Sequence, residues 1–187
     1  MTTQRVADLR LRSSTGPTRT QVWWPLLEEP GDADGLLLFL VDARLGEDAV
    51  SWLRELATRA RIVIVAAPCA TDGLCWSLPD ATTALEWAAD HAGELEADPA
   101  RLLIGGNGFG AELATAVAAH AAADGWPLLE RRILMLDDPP DGVATPGIAP
   151  ATVVTAAGAS DPNVVAEVAR SLTASRSRPE LSGAGVT

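Results

Sequence analysis

The sequence contains no lysine, and its 14 basic residues are all arginine. That absence removes Schiff-base and other lysine chemistry; with the heavy alanine content it reads as a coding bias rather than a function. Histidine is scarce as well, present only as His91 and His120. The two cysteines, Cys69 and Cys75, are spaced more widely than a C-x-x-C redox pair. They read as reduced thiols of a cytosolic protein, and with two histidines elsewhere they offer no convincing metal set. No cofactor is expected. The longest purely apolar run, Leu36 to Val41, is far too short to span a bilayer. Met1–Arg5 lacks the apolar stretch of a signal peptide, so a cytoplasmic protein with no membrane association is expected. Acidic residues outnumber basic ones, 25 to 14, for a net charge of -11. Such a surface repels phosphate backbones and anionic lipid, which argues against nucleic-acid and membrane-surface roles.

What is present is a regular alternation of strand and helix patterns. The 187 residues suit one domain, expected over residues 1–175 with a flexible tail at 176–187. Val6–Ser14 and Thr20–Leu26 form an expected hairpin about Thr15-Gly16-Pro17. Leu36–Val41 has the continuous apolar character of a strand buried on both faces. Glu47–Ala60 carries Val50, Leu53, Leu56 and Ala57 at helical spacing. Arg61–Ala67 is a second buried strand, ended by Pro68. Helices follow at Pro79–Glu96 and Gly110–Ala123, with the strand Arg101–Gly105 between them. The strand Arg132–Leu136, the strand Ala151–Ala157 and the helix Asn163–Ala174 complete the series. Strands alternating with helices in this way predict a three-layer α/β/α fold with a mostly parallel sheet.

Ligands of open α/β sheets bind at the carboxyl ends of the strands. There the segment Ile104-Gly105-Gly106-Asn107-Gly108-Phe109-Gly110-Ala111 lies between a buried strand and a helix. Two chemistries use such a turn. Gly106–Gly110 fits the G-x-S-x-G nucleophile elbow with Gly108 in the place of serine. Gly106–Ala111 also fits the dinucleotide fingerprint G-x-G-x-x-G/A, with Asp137 at the end of the next strand where a ribose-binding acid could stand. The motif alone does not separate them.

The surrounding segments do. From Val6 to about Ala174 the chain resembles the hormone-sensitive-lipase-like esterases of the α/β-hydrolase superfamily. Asp98-Pro-Ala-Arg-Leu-Leu-Ile-Gly-Gly-Asn-Gly-Phe-Gly-Ala-Glu-Leu-Ala resembles D-P-x-R-[IL]-x-[VL]-G-G-D-S-A-G-G-x-L-A. Leu85, Trp87 and His91 match an upstream L-x-W-x-x-x-H pattern. Leu36–Gly46 falls where the family has a strand and its H-G-G-G oxyanion loop, and Ala151–Pro162 resembles the strand and D-P turn that supply the triad acid. Nucleotide binding through Gly106–Ala111 remains as an alternative.

The resemblance implies machinery that these residues do not supply. Acyl transfer needs a nucleophile, a base, an acid to orient the base, and an oxyanion hole. Gly108 stands at the nucleophile position and Asn107 beside it, where the family has an acid. Val41-Asp42-Ala43-Arg44 stands at the oxyanion loop, and a carboxylate at Asp42 would oppose a developing oxyanion unless Arg44 neutralised it. No histidine follows His120, so only Asp161 remains at a triad-like position; its ordinary role would be a cap on the helix that starts near Asn163. The family's lid insertion would follow Leu136, where only the Pro139–Pro150 loop stands. Its final strand and histidine loop would lie beyond Ala174 and have no counterpart. The expectation is a truncated α/β-hydrolase fold without a lid and without catalytic activity, its vestigial positions being Gly108, Asn107 and Asp161. Gly106, Phe109 and Gly110 would form a pocket floor for a small apolar ligand. The unprotected Ala151–Ala157 edge would pair with a second copy or another protein. An unconventional ester hydrolase using Asp42, Arg44, Asn107, Asp137, Asp138 and Asp161 is the enzymatic alternative.

Overall fold

The computed structural model describes residues 4–27, 32–42, 46–71, 74–137, 147–155 and 161–174. Among the described residues, eight strands and four helices follow one another as β1 (Val6–Ser13), β2 (Gly16–Trp23), β3 (Gly35–Asp42), α1 (Glu47–Ala60), β4 (Ile62–Thr71), β5 (Leu74–Cys75), α2 (Leu78–Asp90), β6 (Leu102–Asn107), α3 (Phe109–Asp124), β7 (Leu129–Leu136), β8 (Ala151–Thr155) and α4 (Pro162–Ala174). The sheet order is β1-β2-β4-β3-β6-β7-β8, with β5 attached to β4. β1, β2 and β4 are joined antiparallel, and every pairing from β4 through β3, β6 and β7 to β8 is parallel.

β3 lies at the centre, and Leu36 to Leu40 are completely buried. Successive strand side chains point to opposite faces, so β3 feeds two cores. Leu36, Leu38 and Leu40 pack with α2 and α3 through Ala84, Leu85, Ala114 and Val117. Leu37 and Phe39 pack with α1 and α4 through Leu53, Leu56, Val165 and Leu172. At about 1.5–3 kcal/mol per fully buried aliphatic or aromatic side chain, β3 is a major source of stability. The expected three-layer α/β/α arrangement with a mostly parallel sheet is the one observed. No helix among the described residues is long and apolar enough to cross a membrane.

The elements depart from the sequence pattern in several places. The first hairpin turns on Ser14 and Thr15, with Ser13 opposite Gly16, so β2 starts earlier than Thr20 and includes Pro17. Proline is accommodated there because β4 meets β2 only at Gln21–Trp23, leaving the ladder at Pro17 two-stranded. Pro68 does not end its strand. It pairs with Val41 where the register shifts between Val41 and Asp42, and such an irregularity tolerates the missing N–H. β4 then continues to Thr71 and folds back on β5. Helix α2 stops at Asp90, where the backbone N–H of His91 and its ring Nδ1 both engage the Trp87 carbonyl; a series of turns replaces the rest of the expected helix. Of the expected Ala151–Ala157 strand, Ala156 and Ala157 lie outside the described residues, as do residues 139–146 of the loop and the tail.

The hairpin is fastened to α2 by a single carboxylate. Ser77 and Asp80 form a capping box at the start of α2. Asp80 also accepts from the Ser14 N–H at 2.5 Å and the Ser14 hydroxyl at 2.8 Å. Burial opposes its charge, but the backbone N–H groups of Ser77 and Ser14 and both hydroxyls outweigh that and hold the carboxyl down at about 2. A folded-state value below the unfolded one gives stability that is complete above pH about 4 and is lost as pH falls towards 2. Asp80→Asn is therefore expected to cost about 1–3 kcal/mol at neutral pH and to flatten the stability curve between pH about 4 and 2. Urea unfolding across that range measures both.

Candidate functional site

The strand ends of β3 and β6 and the first residue of α3 meet at one corner. Gly106 and Gly110 make this contact feasible. A Cβ on Gly106 would overlap the backbone of Gly110 and the Leu40 carbonyl, and one on Gly110 would overlap the Leu40 carbonyl directly. Between them Gly108 takes φ 49° and ψ -125°. That left-handed backbone is costly for any residue with a Cβ, and it is the strained turn that a nucleophile elbow requires. The elbow is thus preserved in shape, exposed at Gly108, and carries no side chain.

The space above Gly108 is taken by a group from β3. The Phe109 N–H donates to Asp42 Oδ2 at 3.0 Å, and the Asp42 N–H donates to Asn107 Oδ1 at 3.0 Å. Asp42 Oδ2 lies 2.5 Å from where a Cβ on residue 108 would stand. Helix α3 has no capping side chain of its own, because its N-cap is Gly108. Asp42 supplies that cap from another strand, where the helix dipole favours an anion. In an elbow of this kind the amide following the nucleophile is one of the two oxyanion donors, and here that amide is already bound to a carboxylate. The same carboxylate faces the helix N-terminus where a dinucleotide would need to place its pyrophosphate.

Of the other residues singled out in the sequence, Val41 ends the buried run of β3, whereas Ala43 and Arg44 lie outside the described residues, as does Asp138. Gly106 and Gly110 are buried and Phe109 is half-buried. Cavities of about 130, 450 and 220 Å³ lie elsewhere: between α1 and the start of α4, along β8 and α4, and beside Pro127–Leu129. Asp161 is at the first of these, and its carboxylate accepts from the Asn163 backbone N–H at 2.8 Å and side-chain amide at 3.0 Å. It acts as a cap on α4 and its hydrogen bonds do not reach the elbow. Asp137 is exposed at the end of β7. His91 stacks on Trp87, and His120 pairs with Asp124 on α3 at 3.4 Å.

Cys69, unremarkable in the sequence, proves to be part of the corner. It is fully buried and its thiol donates to the Val41 carbonyl at 3.3 Å. A Cβ on Gly110 would stand 3.3 Å from its sulfur. Burial, and secondarily the charge of Asp42, push this thiol up to about 12. It is held as a neutral packing group rather than a replacement nucleophile.

Removing the Asp42 carboxylate deprives the first turn of α3 of its cap. Asp42→Ala is expected to lower stability by about 1–2 kcal/mol, and Asp42→Asn by less, in denaturant titration at neutral pH. Equal stability of Asp42→Ala and wild type would show that the contact holds nothing.

Comparison with known proteins agrees with this geometry. No curated protein sequence matches the chain significantly. Among solved structures, it is similar to EstE1, a thermophilic carboxylesterase cloned from a metagenomic library, at 24% identity and TM-score 0.61, over 76% of this chain and 50% of that one. A hyperthermophilic esterase from the archaeon Pyrobaculum calidifontis matches at 22% identity and TM-score 0.57, over 71% and 45%. DphMB1 matches at 21% identity and TM-score 0.60, over 94% and 73%. The chain thus spans about half the length of the two esterases. At these identities the likeness is one of fold. A family model described as alpha/beta hydrolase fold matches residues 46–146, more than half of the sequence and including the whole elbow, and the chain belongs to that family.

Proposed function

We propose that this chain is a non-hydrolytic member of the alpha/beta hydrolase fold family that acts by binding a partner. The observation that carries the reading is the elbow itself. Gly108 offers no nucleophile, and the Phe109 N–H that would stabilise an oxyanion is bonded to Asp42. A scaffold whose strained turn persists while its reacting group is absent has kept its packing role, not its chemistry.

The partner surface that best fits is the edge strand β8. Only β7 pairs with it among the described residues. Its sequence, Ala151-Thr152-Val153-Val154-Thr155, is uncharged and rich in β-branched residues, the composition of a strand that accepts another strand. The cavity of about 450 Å³ beside it, between β8 and α4, gives a partner's side chains a place to lodge. Strand addition to this edge by a second copy, or by another protein, follows.

The names of the structural neighbours favour a second reading, residual ester hydrolysis through Asn107 or Asp161. Turnover of p-nitrophenyl butyrate decides between them. The purified chain is expected to give no rate above buffer. A rate that falls on Asn107→Ala or Asp161→Ala would overturn the non-hydrolytic reading.

Sedimentation velocity tests the edge. Association that strengthens with concentration, and a shift towards monomer on Val153→Pro with α-helical content intact, are the expected results. A monomer at high concentration that also retains no partner on affinity purification would remove assembly through β8.

A further inference from the structure

We propose that Asp42 is an intramolecular occupant of the oxyanion corner, a carboxylate that keeps the elbow's amide donor from carbonyl and anionic ligands. The inference rests on the non-hydrolytic reading above and goes beyond it. The Phe109 donor is occupied, so the corner is not simply short of a serine, and a ligand of these classes would have to displace the carboxylate to use it.

Three features of the contact support occupancy. First, the position is fixed from both ends: Asn107 Oδ1 holds the Asp42 backbone N–H, and the Phe109 N–H holds its side chain, each at 3.0 Å. The register places these groups together, since Leu40 is opposite Gly106 in the parallel β3–β6 ladder and the corner lies just beyond that pair. Second, Oδ2 stands 2.5 Å from a Cβ built on Gly108, so the carboxylate must turn away from the Phe109 amide before a side chain can stand at 108. Third, the donor it uses is the amide at the head of a 16-residue helix, where negative charge is favoured. An incoming carbonyl oxygen would have to displace a charge-assisted hydrogen bond with a neutral one, which is the weaker of the two. An incoming anion would meet a fixed like charge. Burial, and then the same charge, push the neighbouring Cys69 thiol up.

A cysteine placed at the elbow reports occupancy in a way that a simple helix cap would not. Cys75 is exposed and would be replaced by serine, whereas Cys69 is buried and stays. In this background Gly108→Cys is compared with the pair Gly108→Cys and Asp42→Ala. The rate of alkylation by iodoacetamide is followed between pH 6 and 10 by mass spectrometry. In this reaction the thiolate sulfur bonds to the methylene carbon and iodide leaves. With Asp42 present the thiol is crowded by a carboxylate and is expected to react slowly at pH 7.5, with its midpoint at or above that of an ordinary cysteine. Without Asp42 it lies at an open helix N-terminus, which lowers a thiol's pKa, and should react at least tenfold faster with a lower midpoint. Equal rates and midpoints in two folded variants would overturn the proposal. If Gly108→Cys alone fails to fold, recovery of folding on adding Asp42→Ala supports occupancy, and failure of both variants passes the decision to a second measurement.

That measurement needs no residue at 108. Hydrogen exchange of the Phe109 amide, read by NMR, should be at least tenfold slower in wild type than in Asp42→Ala. Equal exchange would mean that the carboxylate does not occupy the donor. Ester turnover is silent in both experiments, so a failure here is distinct from a failure of the non-hydrolytic reading.

Discussion

Helix α3 begins in contact with the backbone of β3, and the rest of the corner depends on that closeness. Glycine at 106 and 110 lets the helix start against the Leu40 carbonyl with no side chain between them. The contact fixes the height of α3 above the sheet, and the parallel register of β3 and β6 then decides which groups meet. Asp42 and Asn107 each lie just past the paired region, so the Asp42 amide reaches Asn107 and its carboxylate reaches Phe109. Cys69 fills the space beneath, donating to the carbonyl of Val41 just before the turn. Bulk added at either glycine would lift the helix and separate all of these groups together.

The opposite end of the sheet is tied down differently. Arg101 enters β6 almost buried, pairs with Glu130 at 2.6 Å, and donates to the Leu172 carbonyl near the end of α4. A cation suits the C-terminal end of a helix, so this arginine links the central strands to the outermost helix. A partly buried ion pair of this sort contributes little net stability against apolar packing. Its value lies in position: α4 covers the β7–β8 side of the sheet and forms one wall of the groove beside the edge strand.

Much of this was legible in the sequence where the signal is periodic. The unbroken apolar run of β3, the alternation of strands with helices and the glycine turn gave the layers, the parallel pairing and the location of the elbow. Local rules failed where the deciding contact was remote. Pro68 looked like a strand end because proline lacks an N–H, yet the register shift opposite Val41 and Asp42 accommodates it. In the sequence the charged residue nearest Asp42 is Arg44, whereas its side-chain partner is Phe109, 67 positions away. The spacing of Ser77 and Asp80 marks no more than an ordinary helix start, and only the fold brings Ser14 to Asp80. Nothing in the residue pattern near Cys69 marks it as the floor beneath α3.

The backbone at Gly108 gives these details a common direction. A non-glycine residue in that conformation stores about 1–3 kcal/mol of strain, which a nucleophile must bear in order to stand clear of the sheet. Glycine adopts the same φ and ψ without that cost. The carboxylate of Asp42, which would hinder an acyl transfer, is here the cap on an otherwise uncapped helix. On the non-hydrolytic reading proposed above, glycine at 108 avoids the strain and Asp42 supplies a cap, so both departures from the esterase pattern favour stability over chemistry. That is the direction expected where stability and activity compete for the same residues. A corner relaxed in this way has little reason to change shape on meeting a ligand. On the reading proposed above, binding energy would instead come from the edge at β8, which among the described residues has a strand neighbour on one side only.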